Sequence, residues 1–138
     1  MAYWLVKSEP EEFSWDQQVK AGKKGTPWTG VRAHPAKLNL SKMAKGDKAF
    51  FYHTWDEKQI VGIVEIVRTA YPDPGDEAGR FVMVDVAPVR PVKRAVTLAE
   101  MKAEPRLADL ALIRQSRLSV VPVSDAHWTI ISEMMGEG

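Results

Sequence analysis

The chain opens with an apolar run, Tyr3-Trp4-Leu5-Val6, followed at once by Lys7-Ser8-Glu9-Pro10. The first run predicts a buried strand over residues 3–7. The second delivers an ammonium, a hydroxyl and a carboxylate in consecutive positions. A turn would account for them, and so would a strand end that lines a polar site. Further on, Ser14-Trp15-Asp16-Gln17 has the S-x-x-Q form of a capping box, so a short helix follows, and Gly22 can end it. Residues 22–30 hold Gly22, Gly25, Pro27 and Gly30 and read as a loop. Residues 36–43 predict another short helix, with Pro35 near its first turn.

The centre of the chain has a strand pattern. AFFYHT (residues 49–54) and QIVGIVEIVR (residues 59–68) flank the polar run Trp55-Asp56-Glu57-Lys58, which predicts a hairpin. In the second strand Ile60, Val64 and Ile66 fall on one alternating face and Val61, Ile63 and Val67 on the other. A strand apolar on both faces must be covered on both. Residues 71–79 form a Pro/Gly/Asp loop, and FVMVDVAPV (residues 81–89) is a third long strand. Thr97-Leu98-Ala99-Glu100 is a second capping-box match, and residues 107–113 are a further helical stretch. LSVVPV (residues 118–123) predicts a strand, and Pro122 marks it as an edge or a bulge. Ser124 can cap a last helix, with Trp128, Ile131, Met134 and Met135 on one face. Several strands and short helices predict an α+β domain with a small curled sheet or partly closed barrel.

The length of 138 residues fits one domain over residues 1–138, and 45% hydrophobic with 27% charged residues is a globular composition. No window resembles a membrane span or the h-region of a signal peptide. The absence of cysteine removes disulfides, thiolate catalysis and Cys-based zinc sites, and suits a cytoplasmic setting. Net charge is only +1, but its distribution is uneven. Lys20, Lys23, Lys24, Arg32, Lys37, Lys42, Lys45 and Lys48 meet one acid, Asp47, within the same stretch. That is either a solvated lysine face or a local field for an anionic partner.

Several chemistries find no support. His34, His53 and His127 show no i, i+4 pairing, so no metal site is expected. Neither phosphate-loop spacing nor a G-x-S-x-G elbow occurs, and Ser8, Ser119 and His53 compose a hydrolytic triad only on paper. The five Trp residues say more. Trp4 and Trp128 fall on apolar faces, and Trp15 can pack its helix to the sheet. Trp28 stands in a loop between Pro27 and Thr29-Gly30, with cations on both sides. It can close one end of the core, or serve as a stacking platform for a base.

WLVKSEP, WTGVRAHPAK, GDKAFFYHT, IVGIVEIV and RLSVVPV resemble, in order, the signature blocks of the EVE domain family. This is a PUA-like family related to YTH and ASCH domains. The resemblance spans nearly the whole chain. Where the family usually continues with a polar Asn-rich run, this chain has Ala33-His34-Pro35. The resemblance implies a PUA-like small mixed β-barrel of about five or six strands surrounded by short helices. It also implies a non-enzymatic module that reads a modified base of DNA or RNA flipped into an aromatic and polar pocket. Carried over by position, the pocket comprises Lys7, Ser8, Glu9, Trp28, Thr29, Gly30, Val31, His53, Thr54 and Ser119. Phe81, Trp55 and Tyr52 are the candidates for a second cage aromatic. Arg32, Lys20, Lys23, Lys24, Lys37 and Arg117 are candidates for phosphate contacts. Glu9, an acceptor-only carboxylate, suits an exocyclic amino group. No catalytic residue, cofactor, metal or membrane contact is expected, and a monomer is. The competing readings are an enzyme of the same fold acting on a nucleobase or nucleotide, with Glu9, Lys7 or His53 as acid or base, and a binder of a free small molecule.

Overall fold

The run Tyr3-Trp4-Leu5-Val6 forms a buried strand next to one edge of the sheet. It lies in β1 (Tyr3–Ser8), where Trp4, Leu5 and Val6 are all buried. The computed structural model describes residues 2–54 and 56–136. After β1 come α1 (Trp15–Ala21), β2 (Thr26–Pro27), α2 (His34–Lys42), β3 (Lys48–His53), β4 (Gln59–Pro72) and β5 (Val82–Thr97). The chain continues through α3 (Leu98–Ala103), α4 (Ala111–Arg114), β6 (Val120–Val123) and α5 (Asp125–Met134). Among the described residues the six strands make one sheet in the order β2-β5-β4-β3-β1-β6. Only the β1–β3 pair is parallel.

A sheet apolar on both faces is covered on both, and two separate clusters result. One gathers Trp4, Val6, Trp15, Trp28, Phe51, Val64 and Val86 beneath α1 and α2. The other gathers Leu5, Phe50, Ile63, Met101, Leu107 and Ile131 beneath α3, α4 and α5. Both capping boxes form: Ser14 and Gln17 start α1, and Thr97 and Glu100 start α3.

The hairpin of β3 and β4 is present, but the strict alternation expected along β4 is not. Phe51 pairs with Gly62 and Tyr52 with Ile60, so Val61 is an extra residue that bulges. The bulge shifts the pleat by one. Ile60 therefore joins Ile63 in the second cluster, while Val64 and Ile66 lie in the first. Gly62, beside the bulge, is where Trp15 lies on the sheet. A Cβ there would stand 2.4 Å from Trp15 Cζ3, so this residue is glycine because the indole occupies its side-chain space.

The sheet is not a closed barrel, which corrects that part of the expectation. Its end strands, β2 and β6, do not pair with each other. Instead α2 fills the gap, packing against β6 on one side and β5 and β4 on the other. Asn39 Nδ2 donates to the Val120 carbonyl at 2.7 Å, supplying the edge strand with a partner from a helix. Pro122 lies in this edge strand, where a missing N–H is tolerated. Strands β4 and β5 run past their expected ends at Arg68 and Val89. Beyond β2, the outer edge of β5 has no neighbouring strand among the described residues, so Pro88 and Pro91 do not end it. The expected helix over residues 107–113 is split into a 3-10 turn (Pro105–Leu107) and α4.

Candidate functional site

The polar residues that leave β1 open onto a cavity of about 950 Å³. Small-ligand pockets commonly span about 300–1,000 Å³. The cavity lies off the strand end, so residues of both parities reach it, Lys7 and Ser8 alike. The main chain around them is fixed. Lys7 N donates to Ser119 O at 2.9 Å, and Thr54 N donates to Ser8 O at 3.0 Å. Residues 9–13 then turn back, with Glu12 N and Phe13 N both donating to Glu9 O. Ser8 Oγ locks the turn by donating to Phe13 O at 2.6 Å.

That turn places an aromatic residue that the sequence reading passed over. Phe13 lines the cavity and meets Trp28 edge-on, with centroids 6.3 Å apart and planes at 85°. Trp28 in turn stands at 89° to Phe51, which stands against Trp15. Trp28 is therefore both things at once: a member of the first core cluster, 7% exposed, and a wall of the cavity. Its backbone N–H donates to Val84 O at 2.7 Å, which extends the β2–β5 ladder by one residue and fixes the indole.

The far wall is the segment Thr29 to Ala33. Gly30 has φ +79° and open space where a Cβ would be, so the backbone conformation rather than crowding asks for glycine. A buried carboxylate holds this segment. Asp73 Oδ2 accepts from Gly30 N at 3.1 Å and from Arg32 Nη1 at 3.0 Å, while Oδ1 accepts from Gly75 N at 2.8 Å. Arg32 also donates to Val31 O. Burial by itself would raise the Asp73 pKa, but the Gly30 and Gly75 amides and the Arg32 guanidinium outweigh it and hold the pKa below the ordinary carboxylate value. Asp76 braces the same loop by accepting from the N–H groups of Ala78, Arg80 and Phe81.

Lys7, Ser8, Glu9, Trp28, Thr29, Gly30, Val31, Thr54 and Ser119 all line this one cavity, as do Arg32 and Arg117. The charges there differ in availability. Arg32 is committed to Asp73, and Lys7 Nζ donates to Ser116 O at 2.8 Å. Glu9, Glu12 and Arg117 have no side-chain hydrogen bond or ion pair among the described residues. Burial lowers the pKa of Lys7.

Other expected residues lie elsewhere. His53 is buried beneath α1: Nε2 accepts from Trp15 N at 3.1 Å, and Nδ1 faces Glu57 Oε1 at 2.9 Å. The acceptor role at Nε2 assigns the proton to Nδ1. A helix N-terminus carries orphan N–H donors, and that need turns the ring away from the cavity. Tyr52 belongs to the second cluster, on the other side of the sheet. Phe81 sits outside the cavity with its ring beside His34 at 5.3 Å, Arg32 at 5.6 Å and Lys37 at 6.0 Å. Trp55 lies outside the described residues. Lys20, Lys23 and Lys24 are exposed on α1 and the 3-10 turn before β2, off the cavity lining.

A mixed six-stranded sheet whose second strand from one edge ends in an aromatic and polar cavity, with short helices on both faces, defines an α+β domain with a cavity at a strand end. The chain belongs to the EVE domain family, whose model matches residues 2–134. Human thymocyte nuclear protein 1 is 32% identical over 94% of this chain and 72% of its own length. The structure of Rpa0253 from Rhodopseudomonas palustris superposes with a TM-score of 0.93 at 57% identity, covering 99% of this chain and 94% of that one. Human THYN1, solved in complex with DNA containing 5-methylcytosine, superposes with a TM-score of 0.92 at 31% identity, covering 100% and 99%. The YTH domain of Zygosaccharomyces rouxii MRB1, at 17% identity and a TM-score of 0.59 over 97% and 86%, shares the fold.

Proposed function

We propose that this protein binds nucleic acid carrying a modified base, and that the base enters the cavity at the end of β1. One observation carries the reading. A single cavity holds two aromatic rings at right angles, Trp28 and Phe13, and an unpaired carboxylate, Glu9, on a segment locked by backbone hydrogen bonds. Rings supply apolar surface for the faces of a base, and a carboxylate accepts from an exocyclic amino group at its edge. An unpaired Arg117 on the rim suits a flanking phosphate. The complex of human THYN1 with DNA containing 5-methylcytosine supports the same partner class. Arg32 does not serve as the phosphate contact in this reading, because Asp73 already neutralises it.

A panel of DNA and RNA oligonucleotides of one sequence, each with a single modified or plain base, tests the reading by direct titration. Binding should be tightest for one modified member. Glu9→Gln adds donors to an acceptor-only group and should reorder the panel. Folding stability should stay within about 0.5 kcal/mol of the parent, because the Glu9 side chain has no partner among the described residues. Equal affinity for every member, unaltered by Glu9→Gln, would remove the pocket from the account.

A further inference from the structure

Lys7 is the group in the cavity that base reading leaves without a task. It lines the cavity half-buried, on the last turn of pleat before the strand ends. Its one side-chain hydrogen bond among the described residues is to the Ser116 carbonyl, which fixes the amine in place without giving it a counter-charge. Glu9 and Glu12 line the same cavity, yet neither lies within ion-pair distance of Lys7. Burial of part of the side chain disfavours the ammonium charge, and no carboxylate among the described residues offsets that. An anchored amine without a carboxylate partner, on the lining of a cavity, is placed to act as a lysine nucleophile.

We propose that Lys7 forms an imine with an aldehyde carried on the base that enters the cavity, so that formylated bases are held covalently and reversibly. The inference rests on the reading that the cavity takes a base. The neutral amine attacks the carbonyl carbon. A C–N bond forms, the carbonyl π pair moves to oxygen, and oxygen takes up a proton from nitrogen to give a carbinolamine. The hydroxyl then leaves as water with the remaining nitrogen proton, and the C=N bond closes. Amine and aldehyde give imine and water, with no oxidant or reductant. Glu9 and Glu12, which line the same cavity beyond ion-pair distance of Lys7, would relay those protons through water. Burial lowers the Lys7 pKa, which raises the share of free amine relative to the exposed lysines.

The test uses the full chain and a single-stranded oligonucleotide with one 5-formylcytosine, with sodium cyanoborohydride to reduce any imine to a stable amine. Intact mass and peptide mapping then read where the adduct lies. The expected result is one adduct per chain, on Lys7, abolished in Lys7→Arg and formed at least tenfold faster than with an oligonucleotide bearing a base-free aldehyde sugar, which offers nothing for Trp28 and Phe13 to hold. Titration with the 5-hydroxymethylcytosine counterpart, which cannot form an imine, runs beside it. If that oligonucleotide binds and the formyl one gives no adduct, or adducts scattered over surface lysines, the inference is overturned and the base-pocket reading stands. Equal rates with the base-free aldehyde also overturn it. Binding of neither oligonucleotide removes the base-pocket reading, and this inference with it.

Discussion

At the scale of single residues, Trp28 serves the fold and the cavity together, and the two alternatives its sequence context offers are not exclusive. Trp28→Ala should therefore cost about 3–5 kcal/mol of folding stability, as for a buried aromatic truncation, and lower affinity as well. Trp28→Phe separates the two effects. A ring remains in the core, so the melting temperature should fall less than in Trp28→Ala. Affinity should still drop, by less than the roughly 1–3 kcal/mol that removing a stacking aromatic costs. Lost stability with unchanged affinity would make Trp28 a core residue only. Asp73 gives a pH prediction. Its folded pKa is lowered, so its contribution is present above the unfolded value of about 3.9 and is lost as pH falls through the folded value. Asp73→Asn should lower the melting temperature at neutral pH, and its gap from the parent should close below about pH 4. Most cavity residues were legible through the family resemblance, whose blocks hold them side by side in KSEP and WTGV. Phe13 was not, because the turn through Glu9 O that folds it back is made by backbone hydrogen bonds and by a Ser8 hydroxyl whose partner five residues on is not written in the sequence. The aromatic immediately before the Ser14 capping box was the available signal. Asp73 was hidden by distance, since it meets Gly30 across 43 positions of sequence.

At the scale of elements, the end of β1 is held by β3, by the first carbonyls before β6, and by α1, whose Trp15 rests on Gly62. Trp15 supports Phe51 and Phe51 supports Trp28, so the seat of α1 reaches the cavity wall through three rings. Gly62→Ala would put a methyl within 2.4–2.5 Å of the Trp15 ring. Overpacking of that kind costs about 1–3 kcal/mol, and here it should also shift Trp28 and weaken binding. A melting curve and a titration on the same variant check it; a destabilised variant with parental affinity would break the three-ring connection. The hairpin of β3 and β4 and both capping boxes follow from local pattern alone. The bulge at Val61 does not, because alternation in a run apolar on both faces looks the same with or without one extra residue.

At the scale of the whole molecule, the α+β class follows from the mixture of periods, but closure does not. Whether two sheet edges meet depends on what covers them, and Asn39 of α2 occupies the edge of β6. The uneven charge also acts at this scale. Lys23 and Lys24 are exposed and off the cavity lining, so the double change Lys23→Glu and Lys24→Glu should weaken all oligonucleotides alike and leave their ranking unchanged. Affinity should fall with salt at a log–log slope of about −0.7 to −0.9 per phosphate contacted, and the double change should make the slope shallower. A salt-independent affinity would indicate a free small molecule as the ligand. The most direct measurement is amide chemical-shift mapping during titration with the preferred modified oligonucleotide. Shifts concentrated at residues 7–9, 13, 28–33 and 116–119 are the predicted result. Saturating binding that leaves those amides unmoved and shifts only others would contradict the claim that the base enters this cavity.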